Sequence, residues 1–141
     1  MTTLITLLNS LPNLSPDFHL RIENPPYMAL VLEGIGLGPR GLMAISVAHY
    51  GEQNGDPMRD PEMCFEVEFA ESKVFALHPY QFQNDYVGLF EQSVWEEDSC
   101  CPGNHIVVHA DVMKKQEAFA RLWDRNLKAQ GFLRRPVEKV L

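Results

Sequence analysis

The residues best suited to chemistry lie in one stretch of the chain, from His49 to Glu62. It reads HYGEQNGDPMRDPE and supplies imidazole, phenol, amide and carboxylate groups. An imidazole beside carboxylates can form an acid–base pair, and carboxylate and amide oxygens suit a divalent cation. If the stretch is a hairpin loop, its two ends meet and bring His49 close to Glu62. The candidate binding residues are His49, Tyr50, Glu52, Gln53, Asn54, Asp56, Asp60 and Glu62.

The spacing within this stretch does not identify a known site. It is neither a zinc-binding HExxH helix nor a calcium loop with alternating Asp and Asn ligands. Asn54-Gly55, Asp56-Pro57 and Asp60-Pro61 are turn-forming pairs, whose polar side chains commonly satisfy backbone N–H groups. A structural loop is therefore the main interpretation, followed by a binding surface and then by catalysis. No catalytic residue, metal ligand or cofactor is assigned.

Other reactive side chains form no recognisable constellation. His78, His105 and His109 are scattered, and no G-x-S-x-G motif presents a serine nucleophile. Cys64 lies among glutamates, which should raise the pKa of its thiol. The vicinal pair Cys100-Cys101 has no second cysteine pair to complete a zinc site, so we interpret both as loop residues.

An aromatic region follows the acidic stretch and consists of Tyr80, Phe82, Tyr86, Phe90 and Trp95. Such residues can stack on nucleic-acid bases, and they also form protein–protein hot spots. Because the local charge is negative, a protein partner is the better interpretation. An exposed sheet edge beside these aromatics would suit a homodimer.

Charge and cysteine content narrow the class of protein. The 141 residues carry a net charge of −7, with 15 acidic and 4 basic residues before position 111. Phosphate repulsion therefore argues against nucleic-acid binding, although the C-terminal part is basic. No apolar run is long enough to cross a membrane. Three cysteines form no disulfide framework, so we expect a cytoplasmic protein.

The order of the helices and strands expected around these residues predicts a single α+β domain over residues 1–141. Leucines at helical spacing predict an N-terminal helix with Thr2 or Thr3 as its cap. A second helix is expected over about 112–130, with Asp111 as its N-cap and its end before Gly131. Its predicted apolar stripe consists of Met113, Phe119, Leu122, Trp123 and Leu127. Residues 18–23, 27–35, 42–50, 62–70 and 73–80 are predicted strands. The glycine-rich segment 34–41 has no nucleotide-binding pattern and is expected to connect a hairpin. The result is an antiparallel, mostly meandering sheet of about five strands, with both helices packed on one face.

Alternation within two of these strands predicts which side chains are buried. In 42–50, Met43, Ile45, Val47 and His49 share one face, whereas Ala44, Ser46 and Ala48 share the other. In 62–70 the apolar residues alternate with Glu62, Cys64, Glu66 and Glu68. We therefore expect an acidic strand face exposed to water.

Two stretches resemble a family of small bacterial proteins of uncharacterised function. They are the motif HYGEQNGDPMRDPEM and the segment FARLWDRNLKAQGF, which is similar to that family's closing helix. Together the matches span roughly residues 42–132. Members are typically found among accessory genes of plasmids and other mobile elements, so the resemblance implies this genetic context and no particular reaction.

These observations lead to one functional hypothesis and one main alternative, with contact between the basic C-terminal segment and DNA as a third, weaker interpretation. The first is a non-enzymatic accessory protein, predicted to be a homodimer, that binds a protein partner through the 49–62 loop and the aromatic edge. The alternative is a small metal- or ligand-binding enzyme that uses the His49–Glu62 loop.

Overall fold

The structure, a computed structural model, describes residues 1–11, 14–98, 105–135 and 138–139. It contains two helices, one 3₁₀ turn and nine strands within those residues. In chain order they are α1 (Thr2–Asn9), β1 (His19–Asn24), β2 (Tyr27–Leu37), β3 (Met43–Gln53), β4 (Asp56–Ala70), β5 (Lys73–Asn84), β6 (Leu89–Gln92), β7 (Val94–Glu97), β8 (His105–Val108), α2 (Ala110–Ala129), a 3₁₀ turn (Phe132–Arg134) and β9 (Glu138–Lys139).

The main sheet is antiparallel and follows the chain as a meander. Its strand order is β6-β5-β4-β3-β2-β1-β9, and β7 pairs with β8 in a separate ribbon. The α+β class and the antiparallel meander are confirmed, but about five strands was too few. β1 to β5 correspond to the five predicted strands. The others have only two to four residues, too few for alternation to be recognised.

One face of the sheet, here called the helix face, carries the main hydrophobic core. Both helices contribute to it, α1 through Leu4 and Leu8 and α2 through Trp123 and Leu127, all of them buried. The predicted apolar stripe of α2 was wrong at Leu122, which is exposed because it points away from the sheet. The strand residues of this core are Leu20, Ile22, Leu30, Leu32, Ile45, Val47, Met63, Phe65, Val67, Val74 and Leu77.

The opposite face, here called the open face, is only partly exposed. Ala44, Cys64 and Tyr80 form a second small core with Val94 of the β7–β8 ribbon, and Met113 of α2 packs against it. The small side chain of Ala44 permits this close approach. α2 therefore contacts both cores instead of lying wholly on one face.

The expectation of a solvated acidic face on β4 was wrong for its central residue. Glu66 is 0% exposed, and its carboxylate pairs with Arg40 at 3.0 Å. The same carboxylate accepts hydrogen bonds from the backbone N–H groups of Arg40 and Leu42. The glycine-rich segment does connect the β2–β3 hairpin, and it also folds back over the open face to cover Glu66.

The helix ends differ in detail from the predictions. Thr2 and Thr3 lie inside α1, whose first N–H groups are instead satisfied by Asp124 of α2. His109 caps α2 in place of the predicted Asp111. Gly131 follows α2 in the left-handed conformation, with φ 88°, as expected. Neither helix is long and apolar enough to span a membrane.

Candidate functional site

The candidate residues lie on a regular hairpin and not in an open loop. β3 continues to Gln53 and β4 begins at Asp56, so only Asn54 and Gly55 form the turn. Both have positive φ, 53° and 83°, as expected for the two-residue turn that Asn-Gly favours. The prediction of a loop over 49–62 was therefore wrong, because Asp56-Pro57 and Asp60-Pro61 are accommodated within the strand. Side chains alternate between the two faces of this hairpin, except at Asp60 and Pro61, where the register shifts opposite His49.

His49 points to the helix face, where it is nearly buried, with 7% exposed. Its Nδ1 lies 3.0 Å from the carbonyl oxygen of Ala29, and its ring packs against Trp123 at 5.5 Å and Phe132 at 5.9 Å. Loss of hydration on burial lowers the pKa of His49 below its usual value, although the Ala29 hydrogen bond and the charge of Asp60 oppose that change.

Glu62 points to the open face. Its carboxylate accepts a 2.7 Å hydrogen bond from the Ser46 hydroxyl and lies 3.4 Å from Nε of Arg59. Tyr50 stands on the same face, opposite Arg59, and burial followed by the charge of Glu62 raises the pKa of its phenol. Because the sheet separates His49 from Glu62, the two cannot act as an acid–base pair. The enzyme alternative is not supported.

Glu52, Gln53, Asn54 and Asp56 surround the turn and are exposed. Within the described residues, no three His, Cys, Asp or Glu side chains are grouped so as to hold a metal ion. The end of the hairpin therefore presents acidic and amide groups to solvent at a fixed turn.

The connection between β5 and β6 packs against this hairpin. Asn84 donates a 3.1 Å hydrogen bond to the Asp60 carboxylate, and the Arg59 N–H donates to Asp85 at 2.9 Å. That backbone hydrogen bond is the main reason why the pKa of Asp85 is lowered. Farther along, the Tyr86 hydroxyl lies 3.4 Å from the Glu52 carbonyl oxygen. The acidic stretch and part of the aromatic region thus form one continuous surface.

The predicted aromatic region divides into two groups. Tyr80 belongs to the open-face core, and Phe82 packs on Phe119 of α2 at 5.0 Å. In contrast, Phe90 is 54% exposed on β6 and Tyr86 is 45% exposed just before it. Within the described residues, β6 pairs with β5 alone and so forms one edge of the main sheet. We call the exposed apolar group on and beside this edge, Tyr86, Val87, Leu89 and Phe90, the edge surface.

A small cavity beside His49 was not predicted from the sequence. It has a volume of about 230 Å³ and is lined by His49, Tyr27, Met28, Pro61, Trp123, Asn126 and Gln130. These residues come from β2, β3, β4 and α2, so no local motif could reveal it. The one signal in the sequence was the alternation of side chains in β3, which predicted that His49 shares a face with Ile45 and Val47.

The remaining reactive groups give little support for chemistry. Burial, more than the neighbouring Glu62, raises the pKa of Cys64 to about 12, so its thiol stays protonated. His78 forms an exposed pair with Glu68 at 3.0 Å. Cys100 and Cys101 lie outside the described residues.

Comparison with known proteins gives a family without an assigned activity. None of the curated proteins and none of the solved structures matches the sequence. A family model described as a domain of unknown function, DUF6908, matches residues 2–133. This span includes both stretches that carry the predicted resemblance to an uncharacterised family. Because the match covers nearly the whole chain, the protein belongs to the DUF6908 family, whose function is unknown.

Proposed function

We propose that this is a non-enzymatic protein that works through protein–protein contacts, and that the edge surface binds a second copy of the chain. The observation that carries the proposal is the exposure of Phe90, at 54%, on a sheet edge without a described partner strand. An edge strand presents unpaired N–H and C=O groups that can pair with another strand. An exposed aromatic side chain on that strand adds the kind of apolar contact that interfaces favour.

The sequence of β6 lacks most of the features that protect sheet edges from association. It reads LFEQ and contains neither lysine nor proline. Its one charged residue, Glu91, pairs with Phe82 and therefore points to the helix face, whereas Phe90 pairs with Gln83 and points to the open face. Leu89 shares the helix face with Glu91, so Phe90 is the apolar side chain that β6 presents on the open face, away from this charge.

A second copy is the partner that this geometry favours. Two antiparallel edges can pair about a two-fold axis, so that each copy offers the same surface. If the β6 strands of two copies pair in a register centred on Phe90, their Phe90 side chains lie opposite each other. Cross-strand aromatic pairs of this kind are stabilising. Four residues alone give too small an interface, since stable ones bury roughly 800 Å² on each partner. The adjoining Tyr86 and Val87 would therefore have to take part.

Sedimentation equilibrium of the wild type and a Phe90→Lys variant tests this proposal. A lysine at the edge would oppose strand pairing and remove the aromatic contact. We expect a concentration-dependent dimer for the wild type and a monomer for Phe90→Lys. Phe75→Lys is the matched control, because Phe75 is also an exposed phenylalanine, at 63%, but lies on β5 and outside the edge surface.

Three results would contradict the proposal. The wild type could remain monomeric at high concentration, Phe90→Lys could dimerise as strongly as the wild type, or Phe75→Lys could weaken the dimer equally. Circular dichroism of each variant distinguishes a lost contact from a lost fold.

We extend the proposal to the setting in which the protein acts. Cys64 is buried and unpaired, which suits a reducing compartment, so we propose the cytoplasm. The resemblance of its two motifs supports a bacterial accessory gene on a mobile element. Expression of a tagged copy in a plasmid-bearing bacterium, followed by fractionation, would test the compartment. Recovery of the protein outside the cytoplasmic fraction would contradict it.

A further inference from the structure

The cavity beside His49 contains an acceptor atom without a protein partner. A carbonyl oxygen can only accept, so the 3.0 Å contact with Ala29 requires the proton of neutral His49 to be on Nδ1. Nε2 then carries a free lone pair. Among the described residues, the other backbone group that interacts with His49 is that of Met28, whose carbonyl oxygen cannot donate. No protein group therefore donates a hydrogen bond to Nε2, although more than nine-tenths of His49 is buried. Because His49 lines the cavity, its remaining exposed surface is open to a ligand.

The walls of the cavity suit a flat, uncharged molecule. Among the described residues, Tyr27, Met28, Pro61 and Trp123 supply aromatic, thioether and ring surfaces, and the polar lining side chains besides His49 are the Tyr27 phenol and two amides. None of these lining residues is Lys, Arg, Asp or Glu. The amides belong to the C-terminal end of α2, where the helix dipole is negative and disfavours anions.

Its volume limits the size of the ligand. Ligand sites for drug-sized molecules usually occupy about 300–1,000 Å³. A cavity of roughly 150 Å³ suffices for benzene in an engineered protein. At about 230 Å³, this cavity matches a single substituted ring.

We propose that the cavity is a binding site for a neutral, single-ring small molecule whose N–H or O–H group donates a hydrogen bond to Nε2 of His49. The ring would lie among Tyr27, Met28 and Trp123. This site is on the helix face near β2 and α2, and it is separate from the edge surface. The proposal therefore does not depend on the proposed dimer.

Phenol and anisole are the probes that test it. They share the ring and differ in that phenol has an O–H donor and anisole has none. Binding is measured by fluorescence titration of a Trp95→Phe protein, in which Trp123 is the remaining tryptophan of two. One neutral hydrogen bond contributes roughly 0.5–1.5 kcal/mol, which is about a 2- to 13-fold tighter dissociation constant for phenol than for anisole.

Two variants locate the effect at the cavity. His49→Phe keeps a ring but has no acceptor, so phenol and anisole should bind it equally. Asn126→Phe places a large side chain at an exposed lining position without removing a buried hydrogen bond, and it should abolish binding of both probes. Melting curves verify that each variant folds, and Asn126→Phe decides the location if His49→Phe does not.

The proposal is overturned if neither probe gives a saturable response in the wild-type cavity. It is also overturned if phenol and anisole bind the wild type with equal affinity, because the acceptor would then have no role. Undiminished binding to Asn126→Phe would place the probes elsewhere and would equally contradict it.

Discussion

The ring of Tyr86 lies directly over the backbone of Gly51. A Cβ atom added to Gly51 would overlap the Tyr86 hydroxyl oxygen, so the contact exists only because residue 51 has no side chain. That hydroxyl also faces the Glu52 carbonyl oxygen at 3.4 Å. Gly51 thus determines how the first residue of the edge surface packs against the β3–β4 hairpin.

Gly51→Ala should weaken self-association while leaving the fold nearly unchanged. The overlapping atom is the end of an exposed side chain, so Tyr86 can swing away at little cost to stability, within about 0.5 kcal/mol. Its new position would disturb the edge surface. Sedimentation equilibrium should show a dissociation constant at least several-fold weaker than that of the wild type.

The double variant Gly51→Ala/Tyr86→Phe provides the control. Removing the hydroxyl relieves the closest overlap, so the double variant should dimerise more strongly than Gly51→Ala alone. Equal dimerisation of the wild type and Gly51→Ala would show that the position of Tyr86 does not matter for association.

Glu66→Gln should destabilise the protein much more than Glu68→Gln. Both glutamates are on β4 and point to the same face, but Glu66 is fully buried with three hydrogen bonds, whereas Glu68 is exposed. In Glu66→Gln an NH₂ group replaces one carboxylate oxygen and faces N–H groups that also donate. The side chain of Arg40 then loses its negatively charged partner. A loss of about 1–3 kcal/mol is expected from unsatisfied buried groups.

Urea denaturation of both variants measures this difference. Glu68→Gln should lie within about 0.5 kcal/mol of the wild type, because exposed ion pairs contribute little. Similar free energies of unfolding for the two variants would mean that the Glu66–Arg40 pair does not hold the β2–β3 connection in place.

The sequence predicts the central elements because their side chains repeat regularly. Met63, Phe65, Val67 and Phe69 alternate, and the leucines of α1 follow helical spacing, so both elements were recognisable. The same alternation in β3 placed His49 on the core face, where the structure has it. Periodicity thus carries information about local structure and about the direction of each side chain.

Long-range contacts explain what the sequence did not predict. Alternation put Glu66 on a solvent face, but it cannot indicate that the distant segment around Arg40 covers that face. The turn residues of the 49–62 stretch suggested an open loop, although Asn54-Gly55 needs only two residues to reverse the chain. The His49 cavity combines residues from four elements, and only the folded chain brings them together.

Asp124→Ala should lower the free energy of unfolding by about 1–2 kcal/mol, because the buried Asp124 carboxylate on α2 caps the N-terminus of α1. Its two oxygens accept the N–H groups of Thr3 at 3.1 Å and Leu4 at 2.9 Å. Asp111→Ala is the control, since Asp111 is exposed in the first turn of α2. Hydrogen exchange should show faster exchange of the α1 amides in Asp124→Ala alone. Unchanged protection of α1 would contradict this role.

The titration of His49 should make the protein less stable in mild acid. Burial lowers the pKa of His49 in the folded state below 6.5, its value in an unfolded chain, so below that value the unfolded state binds more protons. The contribution of neutral His49 to the free energy of unfolding is therefore complete above about pH 6.5. It is lost as the pH falls through the lower pKa of the folded state, with a slope of at most roughly 1.4 kcal/mol per pH unit. The Ala29 hydrogen bond and, after it, the charge of Asp60 oppose the shift and limit the effect. Urea denaturation between pH 5 and 8 should show a smaller loss of stability on acidification for His49→Phe than for the wild type. Parallel pH profiles for the wild type and His49→Phe would mean that His49 is not held in its neutral form by burial.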